Sequence, residues 1–235
     1  MPRSTSAAMR RAWRVLVPLV ASAPAMPLFA ADIGQRFASV DEFVKSMPHG
    51  SADVATGYGD LAGAGRRDWG GLVSLQDPQI GSAARIVVLV QQADGSYRVA
   101  AQGPVRSTDG GTGHYGIDQV RVQRGSLFVS WSWNWHGCGG GSTQQIKFYR
   151  NQWRVIGAEF RKANAVEVPE GGYDAGDSAT LSHNLLTGAV VIHVQPVGGD
   201  AFTDSFTGKP TVELLDERFE QDSGDVTEFS KYANC

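Results

Sequence analysis

The chain has 235 residues, of which 42% are hydrophobic and 19% charged, and its formal net charge at pH 7 is −3. This length suffices for one substantial core, because a domain of about 200 residues buries roughly 70% of its unfolded surface. The excess of acidic side chains argues against nucleic acid and anionic lipid as partners, since both are bound through clustered Lys and Arg.

Residues 1–30 have the layout of a secretory signal peptide. They contain four arginines, no acidic residue and an apolar run over 15–30, which holds three prolines and is shorter than the roughly 20 residues of a membrane span. We expect cleavage after Ala30, or alternatively after Ala25. The remaining chain, 31–235, is predicted to be a single β-rich domain with no integral membrane segment. It has 17 basic and 24 acidic side chains, hence a net charge of −7, and is expected to be periplasmic or secreted in a Gram-negative bacterium.

The two cysteines are Cys138 and Cys235. An even number of cysteines in an exported protein favours a disulfide. In the chain-entropy model, closing a loop of about 100 residues adds roughly 4 to 5 kcal/mol of stability. The bond would also hold the acidic C-terminal tail, about 216–235, to the body of the protein. The alternative is two unpaired thiols.

The first predicted element is a short helix. Apolar residues recur at helical spacing between Phe37 and Met47, and Ser39 and Glu42 have the spacing of a capping box. Pro48 ends the pattern. An amphipathic helix of this kind is predicted to pack on the core.

From residue 69 onward the pattern is one of strands joined by tight turns. Successive hairpins with short links form an antiparallel meander, because parallel pairing needs long crossovers. We therefore predict a mainly β fold, a curled sheet, sandwich or open barrel, with one short N-terminal helix. Surface loops are expected at 107–116, 137–143 and 169–179. Strands are predicted at 69–75, 85–92, 97–101, 118–123, 126–135, 145–149, 153–160, 184–186 and 189–195.

The stretch Gly59 to Trp69, GDLAGAGRRDW, has the spacing of a calcium-binding loop. Such loops place oxygen ligands at positions 1, 3 and 5 and glycine at 6. With Asp60 as position 1, the carboxylates are Asp60 and Asp68, and Ala62 and Ala64 stand at positions 3 and 5. We therefore predict a turn before the first strand, in which both aspartates accept hydrogen bonds from the loop's own amides, with Arg66 or Arg67 partly in the cation's place.

This loop resembles the G-D-L-N-x-D-G-x-x-D loop of FG-GAP and VCBS-type repeats. The order of motifs is also similar to a group of exported bacterial proteins of uncharacterised function that carry one such loop. The resemblance implies a calcium ligand set in which Asn and Asp occupy the positions of Ala62 and Ala64. The motifs that carry it are Phe43 to Met47, Asp60 to Asp68, Gly95 to Tyr97, Trp153 to Gly157 and Asn184 to Gly188.

Trp131, Trp133 and Trp135 alternate with polar residues in a predicted strand, so their side chains are expected on one face. Two interpretations stay open. The row could bind sugar rings or an apolar patch of a partner protein, or it could be the core face of the strand, continuing Leu127 and Val129.

Signals for catalysis are weak in the sequence. The five histidines show no zinc-ligand spacing, and the chain contains no G-x-S-x-G elbow and no P-loop. His183 and His193 flank the predicted turn at 187–188, which would bring them near one another across the hairpin.

We therefore expect an exported, non-catalytic binding or envelope-associated module with a protein or glycan partner and no cofactor. Two alternatives stay open. One is a periplasmic hydrolase with a His/Asp site on loops 107–118 and 170–183. The other is a structural domain stabilised by calcium at Asp60 and Asp68.

Overall fold

The computed structural model describes residues 32–47, 53–77, 81–107, 114–135, 137–168 and 172–215. Within these ranges the chain is mainly β, with fourteen strands and one helix of six residues. The strands form two antiparallel sheets that do not close into a barrel. The predicted mainly β, antiparallel fold with one short N-terminal helix is confirmed. The predicted signal peptide, Cys235 and the acidic tail lie outside the described residues.

The first sheet has the strand order β1-β5-β4-β3-β2, with β6 paired to β4. Each strand in this order, apart from β1, follows or precedes its neighbour along the chain, as a meander requires. Its strands are β1 (Arg36–Phe37), β2 (Asp53–Gly59), β3 (Asp68–Asp77), β4 (Gly81–Gln91), β5 (Tyr97–Gln102) and β6 (Arg106–Ser107).

The second sheet is a continuous meander from β7 to β13, with β14 paired to the start of β10. Three of its hairpin turns lie at one end of the sheet, around residues 124–125, 150–151 and 185–188. Its strands are β7 (His114–Gln123), β8 (Ser126–Trp135), β9 (Cys138–Tyr149), β10 (Gln152–Val168), β11 (Gly172–Asn184), β12 (Ala189–Gln195), β13 (Phe202–Thr207) and β14 (Glu213–Leu214).

The helix α1 (Val40–Lys45) has one half of the predicted capping box, in which the Ser39 hydroxyl accepts from the Glu42 amide at 3.1 Å. The Glu42 carboxylate accepts from the Ala38 amide at 2.5 Å, and not from the amide of Ser39 as a capping box requires. The Ser39 bond satisfies an amide that a helix start otherwise leaves without a partner. Phe43 is fully buried and meets the Trp69 ring edge-on at 5.7 Å between centroids. The helix therefore covers one face of the first sheet.

The two sheets share one apolar core on their facing sides. Each fully buried aliphatic side chain stabilises the fold by about 1.5 to 3 kcal/mol. The sheets come closest at β2 and β7, where a Cβ on Gly57 would lie 3.1 Å from the backbone nitrogen of Val122. The fully buried members of this core include Leu72 and Val88 from the first sheet, and Leu127, Ile146 and Val155 from the second.

The loop predictions at 137–143 and 169–179 are wrong, because strands occupy most of both ranges. β9 begins at Cys138, and a Cβ on Gly140 would lie 2.6 Å from the Trp133 indole, so the glycines lie beneath large side chains in a sheet. β11 begins at Gly172. Among the strands longer than two residues, β2 and β13 were not predicted, because β2 is rich in glycine and β13 is exposed along its whole length. The two-residue strands β1, β6 and β14 were not predicted either.

We expect Gly71→Ala to lower the free energy of unfolding by about 2 to 3 kcal/mol, because an added Cβ would overlap the fully buried Trp69 indole. Urea unfolding would measure this as a lower midpoint with an unchanged m-value. Gly116→Ala is the control. Its Cβ would meet only the Ser132 hydroxyl at 3.5 Å, so no loss is expected. Equal urea midpoints for the two variants would contradict the packing described for Gly71.

Candidate functional site

The calcium-like loop connects β2 to β3, rather than preceding the first strand as expected. It is held by the carboxylate of Asp68, which is fully buried. One oxygen accepts from the amides of Leu61 and Ala62 at 2.9 and 2.8 Å, and the other accepts from the amide of Gln91 at 2.9 Å. A carboxylate that accepts charge-assisted bonds from several amides is a strong local constraint. Asp68 therefore ties the loop to the end of β4.

Asp60 closes the other half of the loop. Its two oxygens accept from the amides of Ala64 and Gly65 at 2.9 and 3.0 Å. Three of the four carboxylate oxygens thus accept from the loop's own amides, as predicted, and the fourth accepts from Gln91 in β4. The prediction that Arg66 or Arg67 partly takes the place of the cation is wrong. Arg66 donates to the carbonyl of Gln91 at 3.3 Å, and Arg67 stacks over the Tyr58 ring at 4.4 Å.

The described part of the chain contains no group of three or more His, Cys, Asp or Glu side chains that could hold a metal ion. Asp60 and Asp68 thus stand without a third side-chain ligand. Within the same part, no helix has the length and apolar character of a membrane span.

Beside this loop, a cavity of about 510 Å³ opens between the ends of the two sheets. Its aromatic wall is Phe148, which is 39% exposed and lies 5.4 Å from the Trp153 ring between centroids. Trp153 is buried, lines the same cavity and packs against the Phe148 ring. The polar lining consists of one guanidinium and three amides, from Arg98, Gln102, Asn151 and Gln152.

A second cavity of about 480 Å³ adjoins the first. Its walls are the calcium-like loop and the turn between β7 and β8, with the side chains of Arg124 and Lys147. Both cavities are lined by Ala62 and Phe148. The two cavities therefore form one groove, with Phe148 as the ridge between its halves. We call this the Phe148 groove.

The groove contains three cationic side chains, Arg98, Arg124 and Lys147, that lack a hydrogen bond or ion pair to any described residue. The ion pair found in the described ranges, Arg36 with Asp94 at 3.7 Å, is exposed. The carboxylate that lines the groove is Asp60, which already accepts bonds from its own loop. The groove is therefore locally positive in a protein of negative net charge.

The turns beside the groove adopt a backbone conformation that is unusual for arginine. Arg124 and Arg150 have φ values of 52° and 51°, in the left-handed region that Gly and Asn occupy at lower cost. Each arginine is followed by a residue that is also left-handed, Gly125 or Asn151. These are the two-residue turns that the twist of a β-hairpin favours.

The predicted tryptophan row lies away from this groove. Trp131 is partly buried against the shared core, and Trp133 is partly buried over Gly140. The side chain of Trp135 lies outside the described residues. The groove aromatics, Phe148 and Trp153, were not predicted as site residues. The sequence could have indicated them, because both flank the predicted turn at 150–151 and a turn brings its flanking residues together at a surface.

The histidines do not converge in the described part of the chain. His183 lies in β11 beside the buried Ala158 and Val190, and the predicted loop 170–183 is therefore mostly strand. His193 pairs with Thr180 on the opposite face, and its Nδ1 lies 2.8 Å from the Thr203 hydroxyl. Their expected proximity is wrong, because they are three pairing positions apart on different faces. Residues 108–113, in the predicted loop 107–118, lie outside the described residues.

Cys138 begins β9, beside the end of β8. The described residues contain no free cysteine. This agrees with the predicted bond to Cys235, which lies outside the described residues, so that the pairing stays a prediction.

Comparisons of the chain with protein-family models, curated proteins and solved structures produced no match. The resemblance to FG-GAP and VCBS-type loops therefore stays a prediction carried by the residues of the loop.

Asp68→Ala should lower the free energy of unfolding by about 3 kcal/mol, because three backbone amides lose a charged acceptor, one of them at a buried and two at part-buried positions. Asp60→Ala removes two exposed bonds and should cost about 1 kcal/mol. Urea unfolding of both variants would test the difference. Two equal, small losses would show that Asp68 does not hold the loop.

His183 predicts a specific pH dependence of stability. Burial lowers the pKa of His183 below its ordinary 6.5, and its Nε2 is buried with no hydrogen-bond partner among the described residues. The unfolded chain therefore binds this proton more readily, so that stability falls as pH drops through 6.5 toward the lowered pKa, and is unaffected by this group above that range.

We expect His183→Leu to reduce the loss of Tm between about pH 7.5 and about pH 5.5. His193→Leu changes an exposed histidine and should leave the loss unchanged. Thermal unfolding of each variant at the two pH values measures this loss of Tm. A loss in His183→Leu as large as that of the unchanged protein would contradict this assignment.

Proposed function

We propose that this protein is an exported, non-catalytic binding module and that its ligand is a glycan held in the Phe148 groove. The observation that carries the proposal is the exposed Phe148 ring between two cavities that carry amide and guanidinium groups. The cavity volumes, about 510 and 480 Å³, fall within the range of about 300 to 1,000 Å³ typical of ligand sites.

The chemistry of the groove suits a sugar ring. A sugar presents one apolar face of C–H groups and an edge of hydroxyls, so it is recognised by an aromatic ring together with planar donors and acceptors. Phe148 offers the ring. Asn151 lies in the turn after Phe148, and its amide offers both a donor and an acceptor. Gln152 follows it and offers its amide donor, since its Oε1 already accepts from Arg154.

The same lining favours binding over hydrolysis. General acid–base catalysis of glycoside cleavage needs a pair of carboxyl groups on either side of the bond. The described residues that line the first cavity include neither a carboxylate nor a histidine. In the second cavity Asp60 stands alone and accepts two loop amides. The groove therefore holds a ligand without groups placed to cleave it.

Export is proposed from the sequence of residues 1–30, and a Cys138–Cys235 disulfide would suit the oxidising compartment that export implies. A glycan partner also suits a protein located in or beyond the cell envelope.

The proposal is tested by glycan binding of the mature protein on an array of neutral and acidic oligosaccharides, including peptidoglycan fragments. Phe148→Ala should weaken binding of the retained glycan about tenfold, the value of one aromatic stacking contact. Phe206→Ala is the matched control, because Phe206 is similarly exposed, at 42%, but lies on the edge strand β13. Retention of no glycan, or equal binding by Phe148→Ala, would overturn the proposal.

A further inference from the structure

We infer that the Phe148 groove selects glycans with carboxylated sugar units, and that Arg98, Arg124 and Lys147 confer this preference. The inference rests on the proposed function and deepens it. The protein as a whole is acidic, with a formal net charge of −3, whereas the groove carries three cations.

The cations are available to a ligand. None of the three has a hydrogen bond or ion pair to a described residue. Other arginines at this end of the molecule are already engaged. Arg36 pairs with Asp94, Arg66 donates to a carbonyl, and Arg67 and Arg150 stack on tyrosine rings. Three cations without such engagement line the groove.

Their placement favours a chain of acidic units over a single anion. Arg98 lines the first half of the groove, and Arg124 and Lys147 line the second. A ligand that crosses the Phe148 ridge therefore meets positive charge on each side. Arginine binds a carboxylate through two parallel hydrogen bonds, which distinguishes an acidic sugar from its neutral counterpart. The exposed ring between the cations provides contact for the sugar itself.

The backbone conformation of Arg124 is set by its turn. Its φ of 52° is a conformation that Gly or Asn would adopt with less strain. The two-residue hairpin turn requires it, as it does at Arg150, which does not line the groove. Arg124 lines the groove, so arginine contributes charge there at the expense of backbone stability.

Other anions share part of this chemistry. Sulfated sugars carry the charge without a planar carboxylate, and acidic peptides carry carboxylates without sugar rings. The exposed Phe148 ring favours a sugar, and the arginine guanidinium groups favour a carboxylate. Sulfated sugars and acidic peptides are therefore tested as competing ligands.

The experiment uses the mature protein and matched pairs of ligands, each an acidic oligosaccharide and its methyl ester. The pairs are hexamers of galacturonic acid, hexamers of mannuronic acid, and muramic-acid-containing peptidoglycan fragments. Esterification removes the charge and leaves the sugar backbone. Titration calorimetry should show at least one acid binding about tenfold or more tightly than its ester, with the difference shrinking as salt rises.

Arg98→Gln should reduce this difference to about threefold or less and leave binding of the ester unchanged. Arg121→Gln is the control, because Arg121 is exposed and stacks over Phe128, away from the groove. Arg124→Asn separates binding from folding. It should raise Tm by about 2 °C as backbone strain is relieved, while weakening binding of the acid severalfold.

Distinct results overturn the inference and the proposed function. Esters that bind as tightly as acids in every pair would refute the acidic preference and leave glycan binding standing. Tighter binding of a sulfated hexamer or of a polyglutamate peptide than of every carboxylated sugar would refute it as well. Absence of binding to both members of all pairs, and to every neutral oligosaccharide, would refute the proposed function and the inference together.

Discussion

The close approach of the two sheets at β2 and β7 is the constraint on which the rest of the structure depends. Their backbones meet at Gly57 and Val122, where a Cβ would lie 3.1 Å from a backbone nitrogen. The contact keeps the apolar faces together, so that one core serves both sheets. It also brings the loop after β2 against the turn after β7, and these two segments are the walls of the second cavity. The groove is therefore a consequence of how the sheets pack.

The loop at 60–67 shows how a metal-like spacing can be closed by backbone amides. A calcium site attracts several oxygens toward one point, whereas here the two carboxylates turn toward five amides. Alanine at positions 62 and 64 suits this arrangement, because Ala62 and Ala64 contribute amides and no competing side-chain oxygen. The loop keeps a defined shape, and that shape provides one wall of the Phe148 groove.

Charge is distributed unevenly over this molecule. Acidic side chains outnumber basic ones in the whole chain, 24 to 21, yet the groove is lined by arginines and a lysine that have no hydrogen bond or ion pair within the described ranges. Net charge alone argues against anionic partners. A local concentration of unpaired cations has the opposite effect at short range, because screening limits the influence of distant charges to about 10 Å. Binding preference can therefore differ from what the overall composition indicates.

The sequence by itself determined the local structure: period-2 strands, two-residue turns at 124–125 and 150–151, and the Ser39 N-cap of the helix depend on neighbouring residues only. It also identified Asp60 and Asp68 as acceptors within their loop. It failed for β2 and for the first part of β9, whose glycines weaken the strand pattern but fit beside Val122 or beneath Trp133 in the folded molecule. Only the tertiary structure decided that Phe148, Arg98 and Arg124 share a groove. They come from three separate hairpins, and nothing in local patterning records which hairpins meet, because that depends on how two sheets bury their apolar faces together.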